Sequence, residues 1–201
     1  GNDTLLGGAG NDSFTISGTS VSVDGGAGDD TVNMDSTLSA GDTITGGDGT
    51  DTLALDALAT GATSVGVTGF EYLRIDTELA AQDMAQFTNN TFSRLITNVA
   101  GTSSYTNVGS STNELRVITD GSGSTTTFSR LIDNTSNTLT IGAYTDANAT
   151  IDNLIIDNEE TLNILGGAID SDDYTLTITN LDAEDLVTIT VTGDQNTVIT
   201  D

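Results

Sequence analysis

The sequence contains no cysteine, histidine, proline or tryptophan, and its four basic residues are all arginine. Without cysteine, no disulfide can stabilise the fold outside the cell. Without histidine, cysteine or lysine, the common pairs of nucleophile and base cannot be assembled. Only carboxylates remain for acid–base chemistry, and 30 of them single out no particular pair. We therefore expect a protein that is not an enzyme.

Positive charge is also scarce, because 30 acidic residues face only 4 basic ones and the formal net charge is −26. Such a chain repels nucleic acid and anionic membrane surfaces, so neither is expected as a partner. No apolar run is long enough for a membrane span, so no membrane insertion is expected. Short alternating runs of Leu, Ile and Val favour β-strands that bury one face. An acidic β protein of this kind needs cations as counter-ions.

A glycine-rich pattern of nine residues occurs three times in the first 55 residues. Residues 7–15 read GGAGNDSFT, residues 25–33 read GGAGDDTVN and residues 46–54 read GGDGTDTLA. Residues 1–6 read as the end of a preceding copy, so we expect the chain to be part of a longer protein. The pattern G-G-x-G-x-D-x-U-x, in which U is a large apolar residue, is that of the calcium-binding RTX repeat. This part of the chain closely resembles the RTX family.

The residue types in the pattern suit a calcium site shared between stacked turns. Glycine permits a tightly curved backbone that directs carbonyl groups toward one point, and aspartate adds a hard anionic oxygen. Calcium takes six to eight such oxygens, more than one turn can supply. Asp12 and Asp30 lie 18 residues apart and Asp30 and Asp51 lie 21 apart, which the resemblance equates with one coil of a β-roll each. We expect about two calcium ions along this edge.

The predicted calcium-binding residues contribute either a carboxylate or a backbone carbonyl. On the main edge they are Asp12, Asp30, Asp51, Gly7, Gly8, Ala9, Gly10, Gly25, Gly26, Ala27, Gly28, Gly46, Gly47, Asp48 and Gly49. The opposite edge offers Asp3 and Asp42, with Val21 where a further aspartate is expected. That edge is the poorer candidate.

The remaining residues, 56–201, lose the glycine pattern but keep a regular recurrence of short strands. One series comprises Leu73, Leu95, Leu115, Leu139, Leu162 and Val187, and a second comprises Leu131, Leu154, Leu176 and Val198. Two interleaved series predict two strands in each coil, on opposite walls, with coils of about 22 residues. Each coil must share its core with its neighbours. The fold class is therefore all-β, with a parallel β-roll over residues 1–55 that continues into a β-solenoid over residues 56–201.

Residues 77–87 interrupt this pattern and predict a short helix. Ala80, Met84 and Phe87 would share one of its faces, and we expect that face to pack locally. The four arginines, Arg74, Arg94, Arg116 and Arg130, each lie beside a strand leucine. We expect them to face outward and to pair with neighbouring carboxylates.

Two further phrases, VTGFEYL at residues 67–73 and EETLNI at residues 159–164, resemble surface-layer proteins of Gram-negative bacteria. That resemblance implies a secreted structural protein at the cell surface, with calcium-dependent folding and self-association into an extracellular lattice or filament. It also implies contact with cell-surface polysaccharide through another part of the protein. The alternatives are a secreted RTX adhesin, and the calcium-folding module of a larger secreted enzyme or toxin. The acidic clusters around Asp172 and Glu184 are interpreted as solvated turns, with further calcium binding as the alternative.

Overall fold

The chain winds into a parallel β-solenoid in which each coil adds one strand to each of two walls. A computed structural model describes residues 3–78, 81–118, 121–133, 135–143, 148–165, 175–193 and 197–200. The predicted all-β class and the two strands in each coil are confirmed.

One wall is a single sheet of nine parallel strands that runs along the whole solenoid. In spatial order its strands are β2 (Ser13–Ile16), β4 (Thr31–Met34), β6 (Thr52–Leu55), β8 (Tyr72–Ile75), β10 (Arg94–Thr97), β12 (Glu114–Val117), β14 (Thr138–Ala143), β16 (Thr161–Leu165) and β18 (Thr188–Thr192). Strands β6 and β8 pair directly, so the glycine-rich coils join the later coils without a break in this wall.

The opposite wall consists of two sheets in succession. The first contains β1 (Thr4–Ala9), β3 (Ser22–Ala27), β5 (Thr43–Asp48) and β7 (Val67–Thr68). The second contains β9 (Gln82–Asp83), β11 (Thr102–Val108), β13 (Gly121–Arg130), β15 (Ala149–Asp157), β17 (Leu176–Asp182) and β19 (Thr197–Ile199).

The core is a column of aliphatic side chains between the walls. Val32, Leu53, Leu73, Leu95 and Leu115 occupy successive register positions of the nine-stranded sheet, and all five are fully buried. Each strand buries alternate residues, which is the pattern of a sheet with one face on a core. Since each buried side chain is covered by the coils above and below, neighbouring coils stabilise one another.

The predicted register is correct at first and then fails. Leu73 pairs with Leu95, and Leu95 pairs with Leu115, as predicted. Further along, however, Leu115 faces Ile141 instead of Leu139. The spacing between register partners varies from 20 residues, between β10 and β12, to 28, between β13 and β15, so a constant period of about 22 is wrong. The loops between strands absorb these differences because they lie on the surface.

The ends of both strand series also need correction. Val187 lies outside β18 and is 80% exposed, and Ile189 is the residue that faces Leu162. Leu131 lies just beyond β13 and is 54% exposed. Leu154 is buried, but it faces Leu181 instead of Leu176.

The predicted helix over residues 77–87 is wrong in the residues that the structure describes. Only a single 3-10 turn, Met84–Gln86, is present, and Ala80 lies outside the described residues. The amide of Gln82 accepts a hydrogen bond from the Ala59 N–H at 2.9 Å and donates one to the Ala59 carbonyl at 3.2 Å. These long-range bonds fix an extended backbone at Gln82, which ends any helix there. Met84 and Phe87 are buried, so local packing of this segment is confirmed.

The arginines follow the prediction at three positions of four. Arg74 pairs with Asp76 at 2.7 Å, Arg94 pairs with Glu114 at 2.6 Å, and Arg116 pairs with the same glutamate at 2.7 Å. The outward prediction is wrong for the fourth, which is described next.

Arg130 is only 5% exposed and forms an ion pair with Glu159, which is itself buried. It also donates to the carbonyls of Gly109, at 2.7 Å, and Thr112. Phe128 and Arg130 both point into the core because they are two residues apart on β13. A buried arginine requires such partners, since an unpaired charge in the core is strongly destabilising.

Among the described residues, no helix is long and apolar enough to cross a membrane.

Candidate metal centre in the glycine-rich turns

Three glycine-rich turns stack at one corner of the solenoid, where β1, β3 and β5 lead into β2, β4 and β6. Gly8 lies in register with Gly26, and Gly26 with Gly47. On the other wall, Phe14 lies in register with Val32 and Val32 with Leu53. The coils of 18 and 21 residues predicted from the aspartate spacing are therefore confirmed, and the three aspartates are brought onto one edge.

The aspartates form a ladder of hydrogen bonds between coils. The backbone N–H of Asp12 donates to Oδ1 of Asp30 at 2.7 Å, and the N–H of Asp30 donates to Oδ1 of Asp51 at 2.7 Å. The N–H of Asp51 continues the series and donates to Oε2 of Glu71 at 2.8 Å. One oxygen of each carboxylate in this ladder thus fixes the position of the turn before it.

A second ladder runs the other way on the exposed side of the turns. The N–H of Asp29 donates to Oδ1 of Asn11, and the N–H of Thr50 donates to Oδ1 of Asp29, both at 2.9 Å. Backbone bonds support it, since the Ala27 and Asp48 carbonyls accept from the N–H groups of Gly10 and Gly28 at 2.7 and 2.8 Å. Together the ladders hold the turns in register.

Glycine is required in these turns for two separate reasons. The second and third glycines of each copy have φ between 101° and 140°, a region that favours glycine; these are Gly8, Gly10, Gly26, Gly28, Gly47 and Gly49. The first glycine of each copy is required for space. A Cβ at Gly25 would collide with the Gly46 carbonyl oxygen and with Oδ2 of Asp30.

This space is bordered by oxygen atoms that lack partners. Oδ2 of Asp12, Asp30 and Asp51 is buried and has no hydrogen-bond partner among the described residues. Each such oxygen lies beside the first glycine of its own turn, and so does a carbonyl oxygen of the next coil. A buried carboxylate oxygen without a partner is costly. Carboxylate and carbonyl oxygens are the ligands that calcium prefers, so these residues fit a calcium ion.

The electrostatics of Asp51 point to the same conclusion. Burial raises the pKa of its carboxyl group, and the negative charges of Glu71, Asp30 and Asp29 raise it further. The hydrogen bond from the Asp30 N–H opposes this effect and stabilises the carboxylate in part. A divalent cation beside this carboxylate would favour the ionised form. In the described residues no three acidic side chains converge as a metal-binding group, so backbone carbonyls must supply much of any coordination shell.

The opposite edge of the roll has a different character. Asp42 is buried, but its Oδ1 accepts from the Val21 N–H at 3.1 Å and its Oδ2 accepts from the Ser39 N–H at 2.7 Å. Both oxygens are therefore engaged with the backbone, and the geometry favours a structural role for Asp42. Asp3 is exposed.

Two residues of the site were missed by the sequence reasoning, namely Gly69 and Glu71. A signal for them exists, because Gly66 precedes Glu71 by five residues, as Gly46 precedes Asp51. The signal is weak because the central glycine pair is absent and glutamate replaces aspartate. Of the two acidic clusters, Asp182, Glu184 and Asp185 are exposed. Residues 170–173, which hold the other cluster, lie outside the described residues.

Comparison with known proteins identifies the turns. The sequence model of one family, the RTX calcium-binding nonapeptide repeat (4 copies), matches residues 1–15, 21–35 and 39–57. The matched ranges contain all three aspartates of the ladder and end before Gly69 and Glu71. A search of curated proteins found no match.

Proposed function

We propose that this chain, whose first 57 residues carry RTX calcium-binding nonapeptide repeats, is a structural component of a surface layer outside the cell. RTX repeats bind calcium and occur in secreted proteins. In the proposal, calcium first folds the RTX turns and then allows the chains to associate. The observation that carries it is the set of three buried carboxylate oxygens, on Asp12, Asp30 and Asp51, without protein partners.

Calcium would act on the folding equilibrium of these turns. Stacking places several carboxylates of one sign close together, which opposes folding until a cation neutralises them. A ligand that binds only the folded state stabilises it by RT ln(1 + [L]/Kd), about 2.7 kcal/mol for one site at a hundredfold excess over Kd. Calcium modules that work outside cells bind with Kd on the order of 10⁻⁴ to 10⁻³ M. Folding would therefore await secretion into a calcium-rich medium.

Self-association is supported by the last described coil. Its strands β18 and β19 keep apolar side chains exposed, namely Ile189, Val191, Val198 and Ile199, and Val187 precedes them. A second copy of the chain is the proposed occupant, because parallel edge strands can pair with one another. The net charge of −26 opposes such contact, so cations on the outer carboxylates are required as well. No catalytic role forms part of this proposal.

The test follows assembly while calcium is raised to millimolar levels. We expect light scattering to report growth from monomers, and electron microscopy to show ordered sheets or filaments. Ile189→Glu should block growth while calcium-dependent folding is retained. Val65→Glu is the matched control, since Val65 is 55% exposed but lies between β6 and β7 in the middle of the solenoid.

Chains that fold with calcium but remain monomeric would contradict the surface-layer proposal. Binding of a glycan or a cell by such monomers would indicate the adhesin alternative. A calcium-folding module of a larger secreted enzyme or toxin would fold with calcium and bind neither.

A further inference from the structure

We propose a third calcium site between the Asp51 turn and the turn formed by residues 69–71, one coil beyond the matched repeats. The inference rests on the proposed calcium binding by the RTX turns. It extends that binding to a turn that lacks the nonapeptide pattern.

The cradle at Asp51 has the same composition as the two before it. A Cβ at Gly46 would meet the Gly69 carbonyl oxygen and would lie 2.6 Å from Oδ2 of Asp51. In the earlier cradles the corresponding carbonyls belong to Gly25 and Gly46. Asp51 is the most buried of the three aspartates, at 0% exposure, and its Oδ2 has no partner in the described part of the chain. An oxygen buried in this way requires a cation or a proton.

Glu71 takes the place that aspartate holds in the other turns. Its Oε2 accepts the Asp51 N–H at 2.8 Å, compared with 2.7 Å for the equivalent bond from Asp30 to Asp51. The backbone repeats as well, because the Asp51 carbonyl accepts from the Tyr72 N–H at 3.0 Å, as the Asp30 carbonyl accepts from the Thr52 N–H at 2.8 Å. Glu71 therefore continues the carboxylate ladder into a fourth turn.

The choice of glutamate follows from the length of this turn. Gly46 and Asp51 are separated by four residues, whereas only Phe70 separates Gly69 from Glu71. Thr45 lies in register with Thr68, which places Gly69 opposite Gly46. The short turn displaces the backbone that carries the carboxylate, and the extra methylene of glutamate restores its reach.

The charges nearby favour a divalent cation. Asp51 and Glu71 are neighbours of like charge, and Asp30 adds a third. The nearest arginines form their ion pairs elsewhere, since Arg74 pairs with Asp76 and Arg94 with Glu114. Hard oxygen ligands select calcium over transition metals.

A calcium ion here would link the RTX repeats to the rest of the solenoid. Glu71 directly precedes β8, which pairs with β6 on one side and β10 on the other. Calcium-induced order in the repeats would thereby extend to the first coil of the region that lacks them.

The number of calcium ions bound per chain tests the proposal. Isothermal titration calorimetry with calcium on the whole chain compares Glu71→Gln with Asp24→Asn. Glutamine keeps an acceptor for the Asp51 N–H, and Asp24 offers the same loss of charge at an exposed position on β3. We expect Glu71→Gln to bind one calcium ion fewer than Asp24→Asn. Equal numbers and affinities would overturn the third site, whereas no binding by the unaltered chain would instead contradict the proposed function.

Terbium provides a second readout that does not depend on counting sites. Tyr72 directly follows Glu71, so terbium bound there should emit when tyrosine is excited, and calcium should compete with it. We expect Tyr72→Phe to lose most of this emission and Glu71→Gln to weaken it. Emission that neither substitution changes would overturn the proposal.

Discussion

Asp30 and Asp51 are joined by a hydrogen bond of 2.7 Å from the Asp30 N–H to Oδ1 of Asp51, while Oδ2 of Asp51 is buried with no partner in the described chain. The two oxygens of one carboxylate therefore differ in role. Oδ1 holds the turns in register whether or not a cation is bound. Oδ2 is left for a ligand, and this difference separates the calcium-dependent part of stability from the rest.

Asp30→Asn should weaken the response to calcium while it preserves the stacking of turns. Asparagine retains an acceptor for the Asp12 N–H but loses the anionic oxygen. For each calcium site lost, the free energy of unfolding should fall by about 2.7 kcal/mol at a calcium concentration one hundred times Kd. Urea unfolding with calcium and with chelator measures the difference. Asp24→Asn, with the same change in charge, should keep the full calcium effect, and equal behaviour of the two variants would contradict the assignment.

Gly25→Ala should abolish the cradle between Gly25 and Asp30. The new Cβ would occupy the space beside the Gly46 carbonyl oxygen and Oδ2 of Asp30. Calcium affinity measured by titration should fall at least tenfold, with a loss of folded β signal in circular dichroism. Gly18→Ala is the control, because its Cβ would meet only Val21 Cγ1 at an ordinary 3.7 Å. A Gly25→Ala chain that binds calcium like the control would show that the ion lies elsewhere.

Asp42→Ala should destabilise the protein equally with and without calcium. Its carboxylate accepts hydrogen bonds from Val21 and Ser39, and leaving buried N–H groups unpaired costs about 1–3 kcal/mol each. Urea unfolding in both conditions checks this. A loss seen only in the presence of calcium would instead make Asp42 a calcium ligand.

The glycine-rich coils could be predicted from the sequence because motif and geometry repeat together there. The spacing of Asp12, Asp30 and Asp51 gave the correct register, since the turns differ by only three residues in length. The fourth turn could not be predicted in this way. Glu71 joins the ladder through a shorter turn, and the compensation between turn length and side-chain length has no sequence pattern of its own.

The later coils show the limit of reasoning from short similar phrases. FSRLI occurs at residues 92–96 and again at 128–132, but the two copies lie on opposite walls. Arg94 faces outward on β10 beside Glu114, whereas Arg130 ends β13 and points into the core. A shift of one residue exchanges the two faces of a strand. Which face is buried is decided by the partner strands, and Glu159 supplies the partner for Arg130.

Glu159→Leu should strongly destabilise the later coils because it leaves the buried Arg130 without its partner. Removing one member of a buried ion pair costs about 3–5 kcal/mol. Thermal unfolding in saturating calcium measures the loss. The double variant Arg130→Met with Glu159→Leu should recover most of it, because no buried charge remains. A single variant as stable as the unaltered protein would contradict the burial of this pair.

The central claim, that calcium folds the RTX turns, is tested most directly by hydrogen exchange followed by mass spectrometry. Amide protection is compared between saturating calcium and excess chelator. The backbone amides of Asp12, Asp30 and Asp51, and those of β3 and β5, should be protected only with calcium. Strands β14 and β16, which lie outside the repeats, should lose much less protection. Equal protection of β3 and β5 in both conditions would contradict the account.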